Sequence, residues 1–287
     1  MSPLLDASAC HNLLRSFLAE DIGSGDVTTE TTVAAVQRGR GEVIAKAPLT
    51  LCGIELFAEV FRLLDFTAAV KIFSHDGEEL APGKIPAQVT ASARALLTGE
   101  RVALNLLQRL SGVATMTRRY VQAIEGTDAE ILDTRKTTPG LRALEKYAVR
   151  IGGGRNHRKD LGEAILIKEN HIRLAGGIAA ALAAAQTAKG RVKWVEIEVT
   201  NLDELGEAIP LQPDVVLLDN MSPPLVRQAV EAVRKHAAPK KIRTEASGGI
   251  TLENVREFAE AGVDWISVGA LTHSAPAVDL SFEIEPE

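Results

Sequence analysis

The sequence contains few cysteines, and they are not spaced like metal ligands. Cys10 and Cys52 are the only two in a chain of 287 residues, and both lie among apolar residues. We therefore expect a reducing compartment and no disulfide framework. Because free cysteine is among the residues most often buried, we predict that both thiols are buried and structural.

Membrane-length apolar runs are also missing. The first residues, MSPLLDASACHNLLRSFLAEDI, lack a basic region and a long apolar segment, so they predict an amphipathic helix instead of a signal peptide. The most apolar later run, GIAAALAAA from Gly177 to Ala185, is too short to cross a bilayer. We therefore predict a cytoplasmic protein without a membrane partner.

Positive charge is scarce overall, but it is concentrated in one window. The net charge of −6 predicts that the surface as a whole repels nucleic acid and anionic lipid. Within residues 133–172, however, lysine and arginine outnumber the acidic residues. A basic cluster on an acidic chain indicates a small anionic ligand, so nucleic acid is not a predicted partner.

The chain is long enough for two domains, and its two halves differ in pattern. Residues 1–112 combine short strand-like pieces with helical ones, such as IELFAEVFRLLD, which predicts an α+β domain. Residues 113–275 contain six apolar strands, most of them separated by helical segments, and this pattern predicts a closed or nearly closed α/β barrel. Residues 276–287 contain an alternating strand that could return to the first domain.

Polar residues gather where the predicted strands end. Eight residues lie at or just beyond the carboxyl ends of the six strands: Asp133, Lys136, Lys168, Glu198, Asp219, Glu245, Ser247 and Gly269. In a βα barrel these ends line one mouth, where such enzymes place their chemistry. A doubly wound open sheet would also bind a ligand at its carboxyl ends and is the alternative fold. Neither a GxGxxG fingerprint nor a Walker loop supports that alternative.

Cations at the predicted mouth come from three segments. Arg135 and Lys136 follow the strand AEILDT, although a solvated basic loop is the alternative interpretation of this pair. His157 and Arg158 follow a triple glycine. The arginine side chain can donate two hydrogen bonds at once to a carboxylate or phosphate group. For the histidine, a structural role is the alternative interpretation. Lys168 ends an apolar strand, so its ammonium group must reach the mouth because an unpaired buried charge is costly.

Two helix starts are predicted beside these strand ends. Thr138 can cap and Pro139 can open the helix GLRALEKYAVR. Ser247–Gly249 precede a second helix, so backbone N–H groups, the serine hydroxyl and the helix N-terminus together predict a site for a phosphate monoester. Gly269, at the end of the next strand, would let the backbone approach the same phosphate.

Two carboxylates oppose the cations. Glu198 and Asp219 end successive strands, and such a pair in a basic mouth can hold Mg²⁺, bind sugar hydroxyls or stabilise developing positive charge. Glu196 shares a strand face with Glu198, so both side chains are expected to point inward. A phosphorylated sugar and a carboxylated partner would together match this set of charges.

The segments around these positions resemble the quinolinate phosphoribosyltransferase (decarboxylating) family, also called nicotinate-nucleotide pyrophosphorylase. They follow the family's order over nearly the whole chain: EDIGSGDVTT, LTGERVALNLLQRLSGVAT, DTRKTTPGLRALEKYAV, GGGRNHRKDLGEAILIKENHI, VEIEV, VVLLDN, EASGGI and WISVGALTHSAP. The resemblance implies an incomplete α/β (TIM-like) barrel plus an N-terminal α+β sandwich domain. It also implies a homodimer or an assembly of dimers.

The resemblance further implies a reaction and a role for each candidate residue. Quinolinate and 5-phosphoribosyl 1-pyrophosphate would give nicotinate mononucleotide, pyrophosphate and CO₂, a step of de novo NAD biosynthesis that uses Mg²⁺. Quinolinate would be bound by Arg135, His157, Arg158 and Lys168, with Arg101 contributed by the neighbouring subunit. The implied catalytic residues are Lys136 near the pyrophosphate, and Glu198 and Asp219 near the ribose and Mg²⁺. The implied 5-phosphate site consists of Ser247, Gly248, Gly249 and Gly269.

Three other functions stay open at this point. A Schiff-base lyase could use Lys168 or Lys136 as a nucleophile, although a mouth built for polyanions does not favour a reactive lysine. A non-catalytic phosphosugar-binding barrel would need Ser247–Gly249 but not the opposing carboxylates. A paralogue acting on another pyridine carboxylate would share most of the site. The paired Arg135 and Arg158 favour a substrate with two carboxylates, such as quinolinate, over a substrate with one.

Overall fold

The computed structural model describes residues 5–236 and 241–287, which divide into two compact units. The first unit comprises Met1–Arg118, Ala143–Gly153 and Ser274–Glu287, and the second comprises Arg119–Arg142 and Gly154–His273. The first unit thus includes one helix and one C-terminal strand from beyond residue 112. Cys10 and Cys52 are buried and form no disulfide, as predicted.

The elements of the first half begin with helices and continue as short strands. In chain order they are α1 (Ala7–Ile22), α2 (Val27–Thr32), β1 (Arg38–Ala45), β2 (Leu49–Thr50), α3 (Ile54–Leu64), β3 (Ala69–Ile72), β4 (Glu79–Leu80), β5 (Ala87–Ser92) and α4 (Ala93–Ala123). Asp6 caps α1, because its Oδ1 accepts a hydrogen bond of 2.7 Å from the backbone N–H of Ala9.

Strands and helices alternate in the second half. In chain order the elements are β6 (Glu130–Leu132), α5 (Arg142–Ile151), β7 (Ile165–Ile167), α6 (Glu169–Ala175), α7 (Ile178–Gln186), β8 (Val195–Val199), α8 (Leu202–Ala208), β9 (Val215–Asp219), α9 (Pro223–Lys235), β10 (Arg243–Ser247), α10 (Val255–Glu260), β11 (Trp265–Ser267), α11 (Ala270–His273) and β12 (Leu280–Pro286). No helix in the described ranges is both long and apolar enough to cross a membrane.

The first unit is built on an antiparallel sheet with the strand order β12-β1-β5-β3. Burial alternates along β1, so one face of the strand packs on the core. The C-terminal strand β12 pairs with β1, and its Phe282 packs with Phe57 and Phe61 at ring-centroid distances of 5.7 and 5.4 Å. A Cβ on Gly41 would lie 2.0 Å from the Phe282 ring, so glycine makes room for this aromatic core.

The second unit is built on a parallel sheet with the order β6-β11-β10-β9-β8-β7. All of its neighbouring strands run parallel. Its first strand in the chain, β6, pairs with the last, β11, and the two edge strands of the sheet are β6 and β7. Six strands therefore form an incomplete TIM-like barrel, as predicted, and the carboxyl ends of all six lie on one side.

Both predicted helix starts are wrong. Helix α5 begins at Arg142, because Thr138 begins a turn in which the backbone N–H of Leu141 donates to the Thr138 carbonyl at 3.0 Å. Gly140 has φ +83° in this turn, a conformation that does not continue into a helix. Helix α10 begins at Val255, well beyond the glycines that follow β10.

Candidate active site

The carboxyl ends of the strands bring the predicted polar residues into register. Asp219 on β9 lies beside Ser247 on β10, which lies beside Ser267 on β11. Glu198 on β8 is level with Leu217 on β9. Because alternate residues of a strand share a face, Glu198, Asp219 and Ser247 are on the same face at the same end of the sheet.

Each of the two predicted carboxylates has a polar neighbour. Lys168 Nζ lies 3.5 Å from Glu198 Oε2, and the Glu198 side chain is only 12% exposed. The side-chain amide of Asn220 donates a hydrogen bond of 2.6 Å to Asp219 Oδ2. Mg²⁺ prefers oxygen ligands and usually takes one or two carboxylates together with substrate phosphates. Glu198 and Asp219 therefore fit the ion that the resemblance implies.

The predicted phosphate site is a loop of left-handed glycines. Gly248 and Gly249 have φ values of +92° and +63°. A Cβ on Gly248 would lie 2.1 Å from Asn220 Oδ1, so the loops after β9 and β10 touch at a point where only glycine fits. Helix α10 begins only at Val255, but the side-chain amide of its N-cap residue Asn254 donates a hydrogen bond of 3.0 Å to the Gly249 carbonyl. An anion here would be bound by loop N–H groups and the Ser247 hydroxyl.

Lys136 connects the loops that follow β6 and β11. A Cβ on Gly269 would lie 3.2 Å from Lys136 Cδ, and the Lys136 carbonyl accepts a hydrogen bond of 2.8 Å from Thr272 Oγ1. Gly269 thus leaves space for the aliphatic part of the lysine. The structure therefore brings together two residues that the sequence analysis assigned to the phosphates.

Arg135 and Arg158 form a pair of like charges. Arg158 is 7% exposed and donates a hydrogen bond of 3.0 Å from Nη1 to the Ala164 carbonyl. Burial, and then the positive charge of Arg135, lower the pKa of Arg158. Nε of Arg135 is buried without a hydrogen-bond partner among the described residues. Two guanidinium groups that repel each other, one with an unused buried donor, are complementary to an anion.

His157 is buried beside two glutamates. Its Nε2 lies 3.0 Å from Glu196 Oε2 and 3.5 Å from Glu245 Oε2. Burial alone lowers the pKa of His157, but hydrogen bonds to the glutamates and their charges outweigh it and raise the pKa to about 10. Burial, and then the charge of Glu196, raise the pKa of Glu245 to about 7. His157 is therefore a buried imidazolium at neutral pH, with Nε2 directed at carboxylates.

Sequence reasoning placed Glu245 at a strand end and Glu196 on the inward face but gave neither a specific role, and it missed Trp194. Trp194 Nε1 donates a hydrogen bond of 2.9 Å to the same Glu196 oxygen that His157 contacts. The available signal was alternation, because Glu196 lies two residues before Glu198 in VEIEV, just as Glu245 lies two residues before Ser247 in EAS. Both glutamates are therefore on the face of the sheet that carries the mouth residues, one step deeper.

Arg101 belongs to the first unit, on helix α4. Its side chain is 60% exposed, and its Nη2 lies 3.9 Å from Glu100 Oε1, the contact of an ordinary surface arginine. Its contribution to a neighbouring subunit stays a prediction.

The chain is similar over nearly its whole length to proteins of one family. Residues 26–111 match the profile of the quinolinate phosphoribosyl transferase N-terminal domain, and residues 113–283 match the profile of the C-terminal domain. A probable nicotinate-nucleotide pyrophosphorylase (carboxylating) from Bacillus subtilis is 44% identical over 272 residues, which cover 95% of this chain and 92% of that protein.

Two solved structures share the whole fold. NadC from Streptococcus pyogenes has a TM-score of 0.93 at 38% identity, and 99% of each chain is covered. The nicotinate-nucleotide pyrophosphorylase from Francisella tularensis has a TM-score of 0.92 at 39% identity, covering 99% of this chain and 100% of that one. The protein therefore belongs to the quinolinate phosphoribosyl transferase family.

Proposed function

We propose that the protein transfers the phosphoribosyl group of 5-phosphoribosyl 1-pyrophosphate to quinolinate, giving nicotinate mononucleotide, pyrophosphate and CO₂. The observation that carries this proposal is the pair Arg135 and Arg158, in which the buried Nε of Arg135 has no hydrogen-bond partner within the described residues. Quinolinate carries two adjacent carboxylates, and two guanidinium groups supply the charge and fork geometry to bind them. Lys168 and His157 add positive charge in the same unit.

The phosphate groups are assigned to the loops that follow β10 and β11. These strands are neighbours in the sheet, so their loops lie side by side. We assign the 5-phosphate to the backbone and hydroxyl donors of Ser247, Gly248, Gly249 and Gly269. Lys136, whose stem passes Gly269, is assigned to the pyrophosphate. Backbone N–H groups, a hydroxyl and an ammonium group together satisfy several phosphate oxygens.

Glu198 and Asp219 are assigned to the ribose. Their negative charge stabilises the positive charge that develops on the sugar ring as pyrophosphate leaves. They are also the residues that would hold Mg²⁺, directly or through water, and the ion would supply charge neutralisation for the departing pyrophosphate. Lys168, 3.5 Å from Glu198, would connect this carboxylate with the quinolinate site.

The residues act by position and charge, and none of them has to be a nucleophile. Arg135 and Arg158 hold the pyridine so that its nitrogen attacks the ribose carbon that loses pyrophosphate. One C–N bond forms as one C–O bond breaks, and Lys136 neutralises the leaving group. The pyridinium ring then accepts the electron pair of the C–C bond to the adjacent carboxylate. CO₂ leaves, and a proton takes its place on the ring carbon.

A turnover assay tests this proposal. Purified protein with Mg²⁺ and 5-phosphoribosyl 1-pyrophosphate is given quinolinate or nicotinate, and mononucleotide and CO₂ are followed together. Equal amounts of both products from quinolinate, with little product from nicotinate, are expected. Turnover of nicotinate instead would indicate a paralogue, and binding of the phosphosugar without any turnover would indicate a phosphosugar-binding barrel.

We also propose a cytoplasmic homodimer, or an assembly of dimers, in which Arg101 of the partner subunit completes the quinolinate site. The exposed guanidinium of Arg101 on α4 is available for such a contact. Co-expression of Arg101→Ala and Lys136→Met subunits tests this arrangement. A hybrid dimer would contain one intact site, so activity above that of either variant alone is expected. Equal activity of the hybrid and the two variants would contradict the contact between subunits.

A further inference from the structure

Two buried glutamates of the barrel have no part in the reaction proposed above. Glu196 and Glu245 are 0% and 1% exposed, and each lies two residues before a mouth residue of its own strand, Glu198 and Ser247. A buried carboxylate is unfavourable unless it is paired and hydrogen-bonded. The partners of these two residues therefore indicate why the barrel keeps them.

Both glutamates contact the His157 ring. Glu196 Oε2 accepts hydrogen bonds from His157 Nε2 at 3.0 Å and from Trp194 Nε1 at 2.9 Å. Glu245 Oε2 lies 3.5 Å from the same His157 nitrogen. The Trp194 ring packs edge-on against the imidazole, with ring centroids 5.5 Å apart and an interplanar angle of 88°. The ring is thus held by two carboxylates and one indole, and its Nε2 is directed at the carboxylates.

The main chain around His157 is fixed from the other side by Asp133. The backbone N–H of His157 donates 2.9 Å to Asp133 Oδ1, and the Asn156 side chain donates 2.7 Å to Asp133 Oδ2. Arg158 is the next residue, and the negative charge of Glu196 favours its charged form. Movement of the His157 ring would therefore be transmitted directly to the guanidinium that is assigned to quinolinate.

We propose that Glu196 and Glu245 are positioning residues, which hold the His157 ring and, through it, Arg158 in the geometry that binds a pyridine dicarboxylate. Trp194 supports Glu196 in the same role. The inference rests on the proposed function, because it assumes that Arg158 binds quinolinate. The selectivity of the quinolinate site would then depend on the buried charges of Glu196 and Glu245.

Kinetic constants for the two substrates separate positioning from a structural role. In Glu196→Gln and Glu245→Gln, we expect the KM for quinolinate to rise about tenfold, as for the loss of one charge-assisted hydrogen bond. The KM for 5-phosphoribosyl 1-pyrophosphate should stay within about twofold. A structural role would instead lower the thermal midpoint and affect both substrates alike, and that outcome would overturn the proposal.

The two tryptophans supply a milder variant with a matched control. Trp194 donates to Glu196, whereas Trp265 Nε1 donates at 3.1 Å to Glu130, which pairs with Arg155. Trp194→Phe should raise the KM for quinolinate about threefold, as for a neutral hydrogen bond. Trp265 packs edge-on against Trp194, with ring centroids 6.1 Å apart, and Trp265→Phe keeps an aromatic ring at this contact. Because Trp265→Phe removes only a donor to Glu130, it should raise the KM for quinolinate less than Trp194→Phe does. Equal effects of the two variants would contradict the proposal.

Tryptophan fluorescence reports on the cluster directly, since the chain has only two tryptophans. In Trp265→Phe, where Trp194 is the remaining fluorophore, addition of quinolinate should change the emission. In Trp194→Phe the emission of Trp265 should change less, because Trp194 is the indole that packs against the His157 ring. Adding Glu196→Gln to Trp265→Phe should shift the quinolinate titration about tenfold to higher concentration. An unchanged titration midpoint would overturn the role of Glu196.

Two outcomes distinguish this inference from its premise and from a rival. Wild-type protein that neither binds nor turns over quinolinate would refute the proposed function. Active wild-type protein with glutamate variants whose KM values are unaltered would refute only the positioning role.

A metal site is the rival interpretation of this cluster, because His157, Glu196 and Glu245 have ligand atoms within 4.8 Å of one another. Elemental analysis of dialysed protein should find no stoichiometric zinc or manganese, and one equivalent would overturn the proposal.

Discussion

The two units of the molecule differ in what they bury. The core of the first unit includes Phe57, Phe61 and Phe282, and its buried Glu145 is paired with Arg109 at 2.7 Å. The barrel unit buries the His157 cluster, where Glu196 Oε1 has no hydrogen-bond partner among the described residues and Glu245 Oε2 makes an ion pair of 3.5 Å with His157. Burial of apolar side chains stabilises a fold, whereas burial of a charge carries a desolvation cost. A buried charge is therefore expected where the charged group has a function. Mutations in the two units should therefore separate stability from catalysis.

The largest expected effect is the loss of one charge at the barrel mouth. Lys136→Met keeps the aliphatic stem beside Gly269 and removes the ammonium group. We expect kcat to fall about 10²–10³-fold, as for the removal of one preorganised donor to a developing negative charge. The free energy of unfolding should change by less than about 1 kcal/mol. Steady-state kinetics and urea unfolding measure the two quantities.

Lys159→Met is the matched control for this variant. The Lys159 side chain is 70% exposed and lies outside the assigned site, so its activity should be that of wild type. Comparable losses in the two lysine variants would indicate a general effect of charge and would remove Lys136 from the mechanism.

The second prediction is the reverse case, in the aromatic core of the first unit. Phe282→Ala removes a ring that contacts Phe57 and Phe61, and we expect the free energy of unfolding to fall by about 3 kcal/mol. Below the new unfolding midpoint, both KM values should be unchanged. Phe66→Ala is the control, because Phe66 is 96% exposed and its removal should cost less than about 0.5 kcal/mol. A change of KM in Phe282→Ala would contradict the prediction that the aromatic core of the first unit affects stability alone.

The sequence predicted the elements of both units more fully than the contacts of the site. Period-two alternation located β12, and continuous apolar runs located the barrel strands, because each pattern follows from which strand faces are buried. The start of α5 was misjudged because Thr138 and Pro139 fit a turn as well as a helix cap. Local residue preferences do not decide between these two uses.

The buried cluster was beyond sequence reasoning for a different reason. Alternation placed Glu196 on the inward face, but it could not show that Glu196, His157 and Trp194 meet across separate segments. Such contacts depend on how closely the segment between α5 and β7, which carries His157, approaches β8. A charge at an inward position predicts that a partner exists, and only the fold identifies the partner.

The third prediction concerns the contact between two loops of the mouth. In Gly248→Ala, the new Cβ would meet Asn220 Oδ1 at 2.1 Å, and the backbone would keep a φ of +92° only with strain. We expect the KM for 5-phosphoribosyl 1-pyrophosphate to rise about tenfold, equivalent to about 1.4 kcal/mol, while the KM for quinolinate changes less. Gly206→Ala, in open space on α8, is the control and should alter neither constant. Equal changes in both KM values would argue against a separate phosphate loop.

The smallest expected effect returns to the first unit and tests what an exposed ion pair contributes there. Lys46 Nζ lies 3.2 Å from Glu283 Oε1, with side chains 40% and 61% exposed. Solvent screens such a pair and its long side chains lose entropy on pairing, so a double-mutant cycle of Lys46→Ala and Glu283→Ala should give a coupling below about 0.5 kcal/mol. Added salt should reduce it further. A larger coupling that salt does not reduce would mean that an ion pair contributes measurably to the stability of the first unit. The two units would then differ only in their part in catalysis.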